Sequence, residues 1–199
     1  TAPGRNGQVL RLHSGRDALV FALPDNLNPA QGTISFWLSA KDWDGSNGNA
    51  LQVLIHTGPR DAKQQLVVQT LWPWGRLFMP LYDQGELVGG FPAGRTCSAP
   101  LSQGEDLENV LKTGYFYHYV ITWRDGYEAI YLNGKMMNEA RLPAIRLREL
   151  GDKLYIGRDR EVRLIFWDPG CEDKAGPLAA RQWTSLLDDV TILRTFVFP

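Results

Sequence analysis

The sequence predicts an all-β fold, a two-sheet antiparallel β-sandwich interrupted by two long loop insertions. Short segments of alternating apolar and polar residues recur about every 8–12 residues, with turn residues between them. The chain holds 20 Gly, 12 Pro and 11% aromatic residues, which suits many turns and many half-buried strands. No stretch carries a sustained helical period.

The clearest segment is Tyr115 to Lys135, YFYHYVITWRDGYEAIYLNGK. Tyr117 to Trp123 alternates at period two, Arg124-Asp125-Gly126 turns the chain, and Glu128 to Leu132 resumes the pattern before Asn133-Gly134 turns it again. Upstream, Gln8 to Leu12 and Ala18 to Leu23 read as strands around the polar turn His13 to Asp17, and Asp25 to Gln31 reads as a loop. Thr33 to Ala40 places Ile34, Phe36 and Leu38 on one face and Ser35, Trp37 and Ser39 on the other. A Gly/Asn/Asp loop, Lys41 to Asn49, precedes strands at Leu51 to His56, Gln65 to Leu71 and Leu77 to Tyr82. Leu154 to Gly157 and Leu186 to Leu193 complete the set. The insertions are 84–113 and 158–184. Within the first, Ser102-Gln-Gly-Glu105 fits a capping box, so Glu105 to Lys112 is expected to form a short surface helix.

At 199 residues the chain is read as a single domain, 1–199, large enough for a substantial core. A net charge of −1 supplies no basic field for nucleic acid or an anionic membrane. The apolar runs are far too short to span a bilayer, so no membrane insertion is expected. The chain begins at Thr1, as a processed or excised domain would, and has no Asn-x-Ser/Thr sequon. Cys97 and Cys171 lack CxxC spacing, and each insertion contains one of them. A Cys97–Cys171 disulfide would staple the insertions and stabilise the fold by roughly 3–4 kcal/mol on the chain-entropy account. Two buried thiols are the alternative.

Together with GTISFWL (Gly32 to Leu38), LYIG (Leu154 to Gly157) and LLDDVTIL (Leu186 to Leu193), this segment resembles the laminin-G-like branch of the concanavalin A-like jelly rolls. The likeness runs from about Val9 to Leu193, with the insertions outside it. It implies a non-catalytic carbohydrate-binding module of a secreted, periplasmic or cell-surface protein, with a glycan or polysaccharide as partner and further domains in a larger parent. A protein-interaction or structural accessory domain is the alternative reading.

Trp72-Pro73-Trp74-Gly75 is the sharpest local feature for binding. Flat indoles stack on the apolar faces of sugars and keep an N–H free to donate; the other reading has one ring capping the sandwich. Trp43 and Trp167, both in loops, are further candidates. Arg158 and Arg160 share a face by alternation and suit a carboxylate or sulfate, or else guard an edge strand. The resemblance also implies a structural calcium held by Asp188 against the turn that ends at Asp17. That turn reads His13-Ser14-Gly15, one carboxylate short of the family's usual Asp-Gly. A rim calcium would draw instead on Asp42, Asp44, Asn47 or Asn49.

Polysaccharide-degrading chemistry is the third class. Glycosidases of this sandwich need two carboxylates about 5–10 Å apart. The Glu-x-Asp core of the laminarinase-like motif is absent, which leaves Glu86 and Glu128 to meet across the sheets. His56, His118, Tyr119 and Gln69 supply the residue types of a lyase without its motifs. No Gly-x-Ser-x-Gly occurs. The expectation is therefore no enzyme.

Overall fold

The computed structural model describes residues 2–3, 7–13, 17–42, 52–58, 64–71, 76–83, 86–91, 112–124, 127–141, 150–157 and 184–197. In chain order these form β1 (Ala2–Pro3), β2 (Gln8–His13), β3 (Ala18–Ala22), α1 (Leu23–Asn26), β4 (Gln31–Ala40), β5 (Gln52–Thr57), β6 (Gln64–Leu71) and β7 (Arg76–Asp83). They continue with β8 (Glu86–Phe91), β9 (Phe116–Arg124), β10 (Tyr127–Leu132), β11 (Lys135–Arg141), β12 (Lys153–Gly157) and β13 (Thr184–Leu193). Two antiparallel sheets result, one of seven strands ordered β1-β2-β13-β4-β9-β10-β11 and one of six ordered β3-β12-β5-β6-β7-β8. The sandwich expected from the alternation is the observed architecture.

The pleat decides which residues meet inside. Ile34, Phe36 and Leu38 of β4 register with Ile121, Tyr119 and Tyr117 of β9, and Ile121 and Tyr119 register with Ile130 and Leu132 of β10. Against this inner face pack Leu54, Ile55, Leu66, Val68, Leu154 and Ile156 of the other sheet, giving one continuous apolar core. Phe36 and Tyr119 stack inside it with ring centroids 5.6 Å apart. Trp123 belongs to the same core, and its indole N–H donates to the Pro29 carbonyl at 3.2 Å. Gly32 opposes Trp123 across the strands, and a Cβ there would overlap the indole ring. The tight approach of strand to ring requires glycine.

Four elements depart from the sequence reading. β3 ends at Ala22, and the chain makes one helical turn, closed by Leu27 N–H to Leu23 O at 2.9 Å. Pro24 in the first turn tolerates this, and burial of Leu23 and Leu27 holds it. β8 lies within the stretch read as the first insertion, pairing with β7 through Met79↔Phe91 to Asp83↔Glu86. Its ELVGGF sequence carries two glycines, which masked its strand character. β11 follows the Asn133-Gly134 turn, both of whose residues have positive φ (50° and 82°), as a tight hairpin requires. β1 is too short to carry a pattern. The capping box and the expected helix from Glu105 fall outside the described residues, apart from Lys112.

β13 carries a bulge. Asp188 opposes Trp37 and Thr191 opposes Ser35, so one extra residue enters between them, and Asp189 takes φ 48°. Regular alternation after core-facing Leu187 would turn Asp189 inward. The extra residue instead returns Val190 and Ile192 to the core and leaves Asp189 exposed. Asp tolerates the left-handed region better than most residues, so the acidic pair LLDDV both makes the bulge and needs it.

Candidate functional site

The outer face of the seven-stranded sheet brings polar and aromatic side chains together at mid-strand. Trp37, in the middle of β4, has buried core residues Phe36 and Leu38 on either side and so points outward. It lies opposite His118 of β9 on one side and Asp188 of β13 on the other. The Trp37 and His118 rings stack, with centroids 4.8 Å apart and planes 30° from parallel. Ser35, one pleat along β4, places its Oγ 2.8 Å from His118 Nε2. All three are partly exposed, while Asp188 is 8% exposed.

Neighbours fix this cluster. The His118 backbone is clamped by Asn133, whose Oδ1 accepts the His118 N–H at 2.9 Å and whose own N–H donates to the His118 carbonyl at 2.8 Å. Asp188 Oδ1 accepts the Asp189 N–H at 3.0 Å, which orients the carboxylate at the bulge. Directly opposed residues have Cβ atoms about 5 Å apart, so Asp188, Trp37 and His118 form one row across three strands. Next to that row, Val120, Tyr131 and Ala129 form a small buried apolar cluster with Tyr127 against it. The result is a flat aromatic surface bordered by a hydroxyl, an imidazole and a carboxylate, a set that can stack on a ring and hydrogen-bond its substituents.

Catalytic arrangements fit less well. Ser35 and His118 approach as a nucleophile and base would, but Asp188 is two strands from His118, about 10 Å away, and cannot orient that ring. Ser35 lies in a regular strand, not at a sharp turn. Glu128, a possible glycosidase acid, registers with Trp123, faces the core and is 2% exposed, so a sugar cannot reach it. Glu139, bonded to the Tyr127 hydroxyl at 2.9 Å, is four strands from Asp188, about 19 Å and beyond the span of a carboxylate pair. The lyase residue types are also scattered. Tyr119 is adjacent to His118 yet faces the opposite way, and burial pushes its phenol well above the usual range. His56 belongs to the other sheet, stacked on Tyr155 at 4.4 Å.

The calcium expected from Asp17 and Asp188 does not fit this geometry. Asp17 Oδ2 accepts the His13 N–H at 3.1 Å and the His13 Nδ1–H at 2.7 Å. His13 pairs with Thr184, four residues before Asp188 on β13, so the two carboxylates are separated by about 13 Å of strand. Calcium ligands sit about 2.3–2.6 Å from the ion, so one ion cannot bridge them. The missing carboxylate in the turn and the His13 partner explain why Asp17 is otherwise engaged. Asp42, offered for a rim site, uses Oδ1 to accept the Thr184 N–H at 2.7 Å. Among the described residues no group of three or more His, Cys, Asp or Glu is placed to hold a metal.

Trp72, Trp74, Trp43, Trp167, Arg158, Arg160, Cys97 and Cys171 all lie outside the described residues. By connectivity, Trp72 and Trp74 fall in the segment that joins β6 to β7. The outer-face cluster itself was half legible. Alternation puts Ser35 and Trp37 on one face, but only the register brings His118 and Asp188 beside them.

Residues 13–195 match the family model described as concanavalin A-like lectin/glucanases superfamily. No curated protein matches the sequence. Among solved structures, the chain is similar to the receptor-binding domain of a botulinum neurotoxin C/D mosaic serotype, with TM-score 0.62 and 16% identity over 96% of this chain and 42% of that one. It is also similar to a structure of botulinum neurotoxin type C, whose cell entry depends on interaction with two ganglioside molecules. That match has TM-score 0.59 and 12% identity over 96% of this chain and 42% of that one. A botulinum neurotoxin serotype D binding domain matches with TM-score 0.57 and 16% identity over 94% of this chain and 40% of that one. The chain thus spans about two fifths of the length of these neighbours, and at such identities the likeness is one of fold.

Proposed function

The chain belongs to the concanavalin A-like lectin/glucanase superfamily, and on that premise we propose that it is a non-catalytic carbohydrate-binding module. The observation that carries this reading is the partly exposed Trp37–His118 stack with Ser35 and Asp188 beside it. A pyranose lays its C–H face on the ring plane, and its hydroxyls find a hydroxyl, an imidazole and a carboxylate at the rim. Asp188 accepts from sugar hydroxyls and disfavours an anionic substituent at that end of the row. The structural neighbours support a glycan partner, since one of them engages gangliosides. That the neighbours are receptor-binding domains supports binding without catalysis, although the superfamily also contains glucanases.

Trp72, Trp74, Trp43, Trp167, Arg158 and Arg160, singled out by the sequence, are further candidate glycan contacts. The Cys97–Cys171 disulfide and a secreted, periplasmic or cell-surface location belong to the same reading. A glycan-array screen of the chain tests it. Binding lost in Trp37→Ala supports the sheet face, and binding lost only in Trp72→Ala or Trp74→Ala moves the site to the loops. Binding to no glycan removes the reading.

A protein-interaction role is the second reading, favoured by the edge of the six-stranded sheet. There β3 displays Leu19, Val20 and Phe21 in succession at 45%, 54% and 41% exposure. An apolar edge strand invites pairing with an extended segment of another protein. Val20→Lys would abolish such pairing and leave glycan binding intact.

A further inference from the structure

Glu128 lies away from the outer-face site, on the opposite face of the same sheet. It opposes Trp123 on β9 and Ala140 on β11, and Ile130, two residues on, lies in the core. Its side chain therefore points between the sheets. It is 2% exposed, and its Oε2 has no hydrogen-bond partner among the described residues. A carboxylate in such a place would be a charge shielded from bulk solvent, with no partner for Oε2 among the described residues, which folded proteins avoid by keeping the proton.

Among the described residues no charged group faces it. Tyr127 and Glu139 bond to each other, and Arg124 lies over the Tyr127 and Phe196 rings. Arg141 registers with Tyr127, one position from Glu128. Across the core, Leu54, Ile55, Leu66, Val68, Leu154 and Ile156 carry no ionisable group. The three histidines are elsewhere: His118 on the outer side of the same sheet, His56 in the other sheet, and His13 at the end of β2, bonded to Asp17. Burial alone pushes the Glu128 carboxyl from 4.5 up to about 8.

We infer that Glu128 is a proton-dependent stability switch, held as a neutral acid inside the sandwich and loosening the β9–β10 end of the fold when that proton leaves. The sign follows from linkage. In the unfolded chain a glutamate ionises near its ordinary value, while the folded chain keeps the proton until about pH 8. Between those values the folded state binds one proton more than the unfolded state. Stability is therefore greatest below about pH 4.5, falls as the pH rises, and levels off above about pH 8. This inference does not depend on the glycan reading.

Urea unfolding of the full chain between pH 5 and pH 8, wild type against Glu128→Gln, tests it. Glutamine keeps the shape and cannot ionise. The unfolding constant of the wild type should rise, relative to the variant, by somewhat less than tenfold per pH unit, or about 400-fold over the range. Equal pH dependence in the two proteins would overturn the inference. If the variant does not fold, a carbon-13 titration of the Glu128 side-chain carboxyl in the wild type decides the matter. A midpoint near 8 supports the switch, and one near 4.5 overturns it.

Discussion

Ser35 Oγ lies 2.8 Å from His118 Nε2 on the outer face of the seven-stranded sheet, with Trp37 stacked on the same imidazole. The hydroxyl and the indole together restrain the imidazole ring. The Ser35–His118 pair lacks the third member of a triad on that row, because the carboxylate there, Asp188, is on the far side of Trp37. The chain should therefore show no esterase activity above buffer with an activated ester. Ser35→Ala should weaken glycan affinity by several-fold and cost about 1 kcal/mol of stability or less. Ester turnover that disappears in Ser35→Ala would instead make the pair catalytic.

Gly32 is fixed by the indole of Trp123, which occupies the space a Cβ would fill. Gly32→Ala should destabilise the domain by about 1–3 kcal/mol, read from urea unfolding. The effect is coupled to its partner. In the Gly32→Ala background, Trp123→Phe should cost less than it does alone, because it removes the ring that clashes. Additive costs would show that the strand shifts to relieve the contact by another route.

Asp17 binds His13 through two hydrogen bonds. Asp17→Ala removes both hydrogen bonds to His13 and should lower stability by about 1 kcal/mol. The loss should be the same in calcium and in chelator. A loss seen only in calcium would restore a metal role for this carboxylate.

Cys97 and Cys171 should be joined. The intact mass of the protein purified without reductant should be two hydrogens below the reduced mass, and a single peptide pair should carry both residues after proteolysis. Two alkylatable thiols in the native protein would remove the disulfide, and with it one support for an extracytoplasmic location.

Strand identity was largely legible where one face of a strand is buried, as in β4, because burial writes itself as alternation at period two. The pattern named ten of the strands, and GTISFWL sorted its residues onto the correct faces. The pattern missed the glycine-containing β8, the two-residue β1, and β11, whose KMMNEAR reads as polar. The site was less legible because it is a product of register. His118 and Asp188 are far from Trp37 in sequence, and only the pairing of β4 with β9 and β13 makes them neighbours. The same register sets Asp17 and Asp188 apart along β13, a spacing that cannot be read from LLDDVTIL alone. Glu128 was visible only as an acid in a strand; its inward position follows from the pleat it shares with Ile130.

The most direct test of a glycan-binding sheet face is the affinity of wild type and Trp37→Ala for a glycan identified by array, measured by calorimetry with the fold of the variant checked by circular dichroism. The account predicts saturable binding by the wild type and a loss of at least about tenfold, about 1.4 kcal/mol, in the variant. Unchanged affinity in a folded Trp37→Ala protein, or no glycan bound by the wild type, would contradict it.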